Sequence, residues 1–108
     1  MLGFMTLDEF RECRSEPAGL TPSLRAMWRD AKGDWEAAHR IAQDDDSSDA
    51  AWVHAYLHRR EGDISNARYW YARAGRPEYH GSLESEWEEI VHALLRAGGS
   101  TEQKTEAI

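Results

Sequence analysis

Apolar residues recur along most of this chain at intervals of three and four positions, which is the spacing of an amphipathic helix. The pattern is clearest near the end of the chain, where it places five apolar side chains on one helix face: Leu83, Trp87, Ile90, Val91 and Leu94. Alanine is abundant and β-branched residues are few, and this composition favours helix over strand. The pattern therefore predicts an all-α fold.

Capping residues predict where several of these helices begin. Thr6 and Glu9 have the spacing of a capping box, in which each side chain accepts a hydrogen bond from the backbone amide of the other. Thr21 followed by Pro22 predicts a second start, because proline at the first helical position sacrifices no hydrogen bond. Ser82 predicts the start of the last helix.

Two Gly-Asp pairs predict tight corners of the same kind at residues 33–34 and 62–63. Glycine suits the residue that closes a helix, and aspartate suits the residue that caps the next one. A shift of 29 positions superimposes the two corners and also places Ala38 on Ala67. The small alanines allow paired helices to approach closely. We therefore expect an antiparallel helical array of about six helices.

These corners resemble the turn of the tetratricopeptide repeat, which is Gly-Asp-aromatic followed by alanine three residues past the aromatic. Trp35 and Ala38 complete the first corner, and Ile64 and Ala67 complete the second. The resemblance covers about residues 22–77 as two divergent repeats, and it implies two helical hairpins in a small bacterial-type domain. Because a stable stack usually needs about three repeats, we expect a capping helix at each end, or a second chain, to cover the hairpins.

We expect residues 1–98 to form a single helical domain and the small, polar residues 99–108 to form a flexible C-terminal tail. In the helix that follows the second corner, the apolar spacing places Ile64 and Tyr71 inward and leaves Tyr69 outward.

The helix before the second corner contains apolar residues on two sides, so it must be covered on both sides or bind a partner. The tetratricopeptide resemblance implies that Trp52, Tyr56, Arg59 and Arg60 line a concave groove that binds an acidic or C-terminal peptide. Arginine suits carboxylates, and aromatic side chains contribute large contact areas. In the alternative interpretation, Trp52 and Tyr56 pack under the first or last helix and the two arginines neutralise local acids.

The same helix contains His54 and His58 at positions i and i+4, with Glu61 one turn further on. Two imidazoles at this spacing could share a metal ion, and His80 or His92 could supply a third ligand. The sequence lacks the glutamate that follows the first histidine in the metalloprotease motif. We therefore expect no metal and no other cofactor, and we interpret the histidines as residues of a half-buried seam.

Charge and cysteine content narrow the range of functions. The formal net charge of −7 disfavours binding to nucleic acids and to anionic membrane surfaces. The single cysteine, Cys13, excludes an intrachain disulfide and indicates a reducing, cytoplasmic location. The sequence contains neither a glycine-rich phosphate loop nor a nucleophile–base motif, so we expect a protein that is not an enzyme.

The sequence thus predicts a protein–protein interaction module that binds a peptide or a partner protein. A second hypothesis is self-association as a homodimer, because a twofold dimer is the commonest way to cover an incomplete stack. A third hypothesis is a metal-dependent enzyme that uses His54, His58 and Glu61.

Overall fold

The computed structural model describes residues 5–97, and within these residues it contains six α-helices and no β-strand. The helices are α1 (Leu7–Glu12), α2 (Pro22–Ala31), α3 (Trp35–Gln43), α4 (Ser48–Arg60), α5 (Ile64–Ala74) and α6 (Leu83–Arg96). The all-α prediction is confirmed, and the expected tail at 99–108 lies outside the described residues. None of the helices found in residues 5–97 combines the length and apolarity needed to cross a bilayer.

A side chain caps the first turn of every one of these helices. The capping box at Thr6 and Glu9 forms as predicted, with both hydrogen bonds 3.0 Å long. Helix α4 is capped by Ser47, whose hydroxyl accepts a hydrogen bond from the Ala50 amide. Each cap satisfies a backbone amide that the helix itself leaves without an acceptor.

The two Gly-Asp corners have the same backbone geometry. Gly33 and Gly62 adopt positive φ angles of 86° and 90°. The next residue in each corner donates its amide hydrogen to a carbonyl five positions earlier, Asp34 to Arg29 and Asp63 to His58. This is the Schellman arrangement, which closes a helix with a left-handed glycine. The corners therefore fold α2 onto α3 and α4 onto α5 as two helical hairpins.

Helix α4 lies at the centre of the array and packs against α2, α3, α5 and α6. Helix α6 packs mainly across α1, α2 and α4. The ring centroids of Trp87 and Phe10 lie 6.0 Å apart, and the Trp87 indole donates a hydrogen bond to the Met27 carbonyl. The two end helices thus close one side of the pair of hairpins over a shared core.

Helix α5 packs mainly against α4, and it buries only Ala67 and Tyr71. Tyr71 is inward and Tyr69 outward, as predicted, but Ile64 is 41% exposed. The inward prediction for Ile64 was wrong because α5 packs mainly against one helix, α4, whereas the corresponding helix of the first hairpin, α3, packs against both α2 and α4.

Replacing Gly62 with Ala should lower the free energy of unfolding by about 1 kcal/mol, because an L-residue is disfavoured at this positive φ. A Cβ atom placed there meets no other atom within 4 Å, so the loss comes from the backbone alone. Gly62→Asn should lose less, since asparagine tolerates the left-handed region. Urea unfolding followed by circular dichroism measures both variants. Equal stability of Gly62→Ala and the native chain would contradict the prediction.

Candidate functional site

The residues predicted to form the groove do not line an open surface. Trp52 is 4% exposed and Tyr56 is 1% exposed. The Arg76 guanidinium lies 3.5 Å from the centroid of the Trp52 ring, and the Tyr56 hydroxyl donates a hydrogen bond to Asp30 over 2.9 Å. The groove interpretation therefore needs correction at these two positions, because packing from neighbouring segments covers both side chains. The alternative, packing under the first or last helix, agrees with the burial of both side chains, but the contacts named here come from Asp30 of α2 and from Arg76, which follows α5.

Arg59 is held by α6 and the loop before it. Its guanidinium donates hydrogen bonds to the Gly81 carbonyl and to Glu86, the latter at 2.7 Å. Glu86 is only 1% exposed and also accepts a hydrogen bond from the Tyr71 hydroxyl. Burial raises the pKa of Glu86, although both of these donors favour its charged form. Arg59 is thus the cation that compensates a buried carboxylate.

Arg60 also has a buried carboxylate as its partner, although the side chain of Arg60 is itself more exposed than that of Arg59. Its guanidinium lies 3.2 Å from Asp30, the same buried carboxylate that accepts the Tyr56 hydrogen bond. Burial raises the pKa of Asp30, and the charge of Arg60 opposes that rise. A cavity of about 260 Å³ lies beside this group, next to Trp87 and Arg11. Because Arg11 is paired with Glu88 and Arg60 with Asp30, both arginines of the cavity already have carboxylate partners.

Replacing Arg59 with Met should destabilise the fold by about 3 kcal/mol, because it leaves the Glu86 carboxylate buried without its cation. Arg68→Met is the matched control, since both side chains of the Arg68–Glu78 ion pair are accessible to solvent, and it should cost about 1 kcal/mol or less. Chemical unfolding at neutral pH gives both values. A smaller loss for Arg59→Met than for Arg68→Met would contradict the assigned structural role.

Three histidines from two helices meet where the first hairpin packs against the second. One ring nitrogen from each of His39, His54 and His58 lies within 4.8 Å of the others. The Nε2 atoms of His39 and His54 are 3.0 Å apart. His39 comes from α3, and the other two come from α4. We call these three residues the histidine cluster.

Aromatic rings and one carboxylate hold the histidine cluster in place. Trp35 stacks on His39 with ring centroids 4.8 Å apart, and Trp70 stacks on His54 at 3.9 Å. The Trp35 indole donates a hydrogen bond to a backbone carbonyl of α4. On the far side of the cluster, Nδ1 of His58 lies 2.8 Å from a carboxylate oxygen of Glu61. The orientation of each imidazole is therefore set by a contact outside the cluster.

The environment keeps part of the cluster neutral. Burial, with the neighbouring His39 and His58, lowers the pKa of His54 from 6.5 to about 4. Burial, together with His58, also lowers the pKa of His39. At neutral pH, His54 and His39 are therefore uncharged imidazoles with lone pairs available to a hydrogen bond or a metal ion.

The sequence identified His54, His58 and Glu61 as candidate metal ligands, but it gave no role to His39. The two histidines suggested as third ligands, His80 and His92, are exposed and lie outside the cluster. One signal pointed to His39, because Trp35 and His39 lie four positions apart on one helix face and that face needs a partner helix.

The low pKa of His54 predicts a pH dependence of stability. The unfolded chain takes up a proton at His54 near pH 6.5 but the folded chain only near pH 4, so the free energy of unfolding falls as pH drops through this window. The loss should reach roughly 3 kcal/mol, at about 1.4 kcal/mol for each unit of pKa. Unfolding of the native chain and of His54→Gln, measured across this range with a chelator present, isolates the effect. A slope unchanged by the substitution would contradict it.

Tyr69, on the outward side of α5, is the one exposed phenylalanine, tyrosine or tryptophan side chain among the described residues. Tyr69 is 53% exposed and packs edge-on against Trp70 with ring centroids 5.1 Å apart. The Arg73 guanidinium lies over both rings, 5.9 Å from the centroid of Tyr69 and 5.4 Å from that of Trp70. We call Tyr69, Trp70 and Arg73 the α5 patch.

Comparisons of the chain with protein-family models, with curated proteins and with solved structures found no match.

Proposed function

We propose that this protein is an interaction module that binds an acidic segment of a partner protein through the α5 patch. The observation that carries the proposal is the exposure of Tyr69 together with Arg73 on a helix that buries only two of its residues. The tetratricopeptide-like corners support an interaction role. The single cysteine supports a cytoplasmic location, which we include in the proposal.

The composition of the α5 patch is that of a protein-binding surface. Tyrosine, tryptophan and arginine are the residues that most often dominate binding energy at interfaces. Trp70 is held by its stacking on His54 and packs edge-on against Tyr69, and the guanidinium of Arg73 is already oriented over both rings. A partner would therefore meet a preorganised surface, which reduces the entropy lost on binding.

Charge favours an acidic occupant. The chain has a net charge of −7, yet the sequence of α5 contains no aspartate or glutamate. Arg73, together with Arg76 just after the helix, forms no ion pair with the described residues. The guanidinium fork suits carboxylates. An acidic segment bound at the α5 patch would thus gain Arg73 as its cationic partner, whereas Arg76 lies over Trp52.

The same charges argue against a symmetric dimer that uses this patch. In a twofold dimer, each residue of a shared patch meets its own copy or a near neighbour. Arg73 would then face the α5 helix of the second chain, which contains arginines and no acid. Self-association through the α5 patch would therefore require an acidic surface of the second chain to face Arg73.

Site-specific cross-linking tests the proposal in cells that express the protein. A photoreactive phenylalanine analogue that replaces Tyr69 should capture a distinct protein, and the captured peptide should be rich in aspartate and glutamate. Arg73→Glu in the same chain should weaken capture at least about tenfold, because it reverses the charge beneath the acidic segment. Arg40→Glu, an exposed substitution on α3, is the matched control and should leave capture unchanged.

Three outcomes would overturn the proposal. Capture unaffected by Arg73→Glu, or an equal yield with the photoreactive residue at Gln43 on α3, would remove the α5 patch from binding. Cross-linked products that contain only a second copy of this chain would show that the α5 patch binds another copy of the chain and not an acidic partner protein. Sedimentation of the native chain then gives the stoichiometry of that assembly.

A further inference from the structure

We propose that His39, His54 and His58 bind a divalent transition-metal ion, with Zn²⁺ as the probe, and that the bound ion fastens the first hairpin to the second. The inference does not rest on the proposed function: Trp70 of the α5 patch stacks on His54, but all three ligands lie on α3 and α4.

The spacing of the ring nitrogens fits a shared ion. Zinc is held by histidine nitrogens at about 2.0–2.1 Å in tetrahedral sites, which places neighbouring nitrogens about 3.3 Å apart. The Nε2 atoms of His39 and His54 are separated by 3.0 Å, and a nitrogen of His58 lies within 4.8 Å of both. A small rotation of the rings would bring the three nitrogens to the distances that an ion requires.

The partners of His58 match those of a metal-binding histidine. Such residues almost always donate their second ring N–H to a carboxylate, a carbonyl or water, which fixes the tautomer and orients the ring. Glu61 lies 2.8 Å from Nδ1 of His58, so a proton on Nδ1 leaves Nε2 free to act as a ligand. This arrangement assigns Glu61 a positioning role outside the ligand set.

An ion can reach the cluster from solvent. His54 and His58 are buried, but His39 is half-buried and borders a surface cleft formed with Trp35, Glu36 and Arg40. The His39 side of the cluster is therefore the entrance. Three histidine ligands leave a fourth tetrahedral position, which a water molecule can fill from this side.

Binding would link two parts of the chain that are distant in sequence. His39 belongs to the α2–α3 hairpin, whereas His54 and His58 belong to the α4–α5 hairpin. Since the ion would bind the folded chain and not the unfolded one, it should stabilise the fold in proportion to its concentration. An ion bound to the histidine cluster would thus cross-link the two hairpins.

Titration of the untagged full-length chain with Zn²⁺, in competition with a chromophoric chelator, tests this inference. We expect one ion per chain and a rise in melting temperature upon binding. Substitution of His39, His54 or His58 with Gln should each weaken the affinity at least about 100-fold, and Glu61→Gln should weaken it about tenfold.

His80→Gln and His92→Gln are the matched controls, because both histidines are exposed and lie outside the cluster. They should change the affinity less than about twofold, within the usual range for surface positions. Circular dichroism checks that each variant is folded. If the buried His54→Gln or His58→Gln does not fold, His39→Gln decides alone, because its half-buried side chain tolerates replacement.

Spectroscopy with Co²⁺ provides a second readout. Cobalt in place of zinc should give the visible absorption of a tetrahedral site in the native chain, and His39→Gln should abolish it. Failure of the native chain to bind Zn²⁺ at micromolar concentrations would overturn the inference. Equal loss of binding in the cluster variants and in the control variants would also overturn it, since it would mean that the ion binds surface histidines.

Discussion

The burial of helix α4 on all sides is the constraint on which the rest of the structure depends. Every residue from Ala50 to His58 is buried, because α2, α3, α5 and α6 all pack against this one helix. Its small residues allow the neighbours to approach closely, and its larger ones fill the spaces between them. The two hairpins and the end helix α6 therefore share a single core.

A helix enclosed in this way cannot expose its polar side chains to water, so each one needs a partner on a neighbouring segment. Tyr56 is bound by Asp30 of α2, Arg59 by Glu86 of α6, and His54 by His39 of α3. A buried polar group without such a partner would cost about 1–3 kcal/mol. These three contacts fix how the surrounding helices sit around α4, and one of them creates the histidine cluster.

Helix α5, unlike α4, is covered on only one side, and this exposure is why the candidate binding surface lies on α5. Its main packing partner is α4, so most of its circumference remains open to solvent. Tyr69 and Arg73 are on this open side, where no described element competes for them. The face that the tetratricopeptide resemblance assigns to a ligand is instead filled by contacts such as that of Arg59 with Glu86. In this chain the open surface therefore lies on the second helix of the hairpin.

The sequence by itself determined the helical class, the number of helices, the capping box and both corners, because these depend on local spacing and on backbone preferences within a few residues. It did not decide whether Trp52 and Tyr56 line a groove or belong to the core, since apolar periodicity identifies a helix face but not what covers that face. It also left His39 without a role. Only tertiary structure decided these points: they depend on which helices meet across α4, and distances between residues far apart in the chain are set by packing.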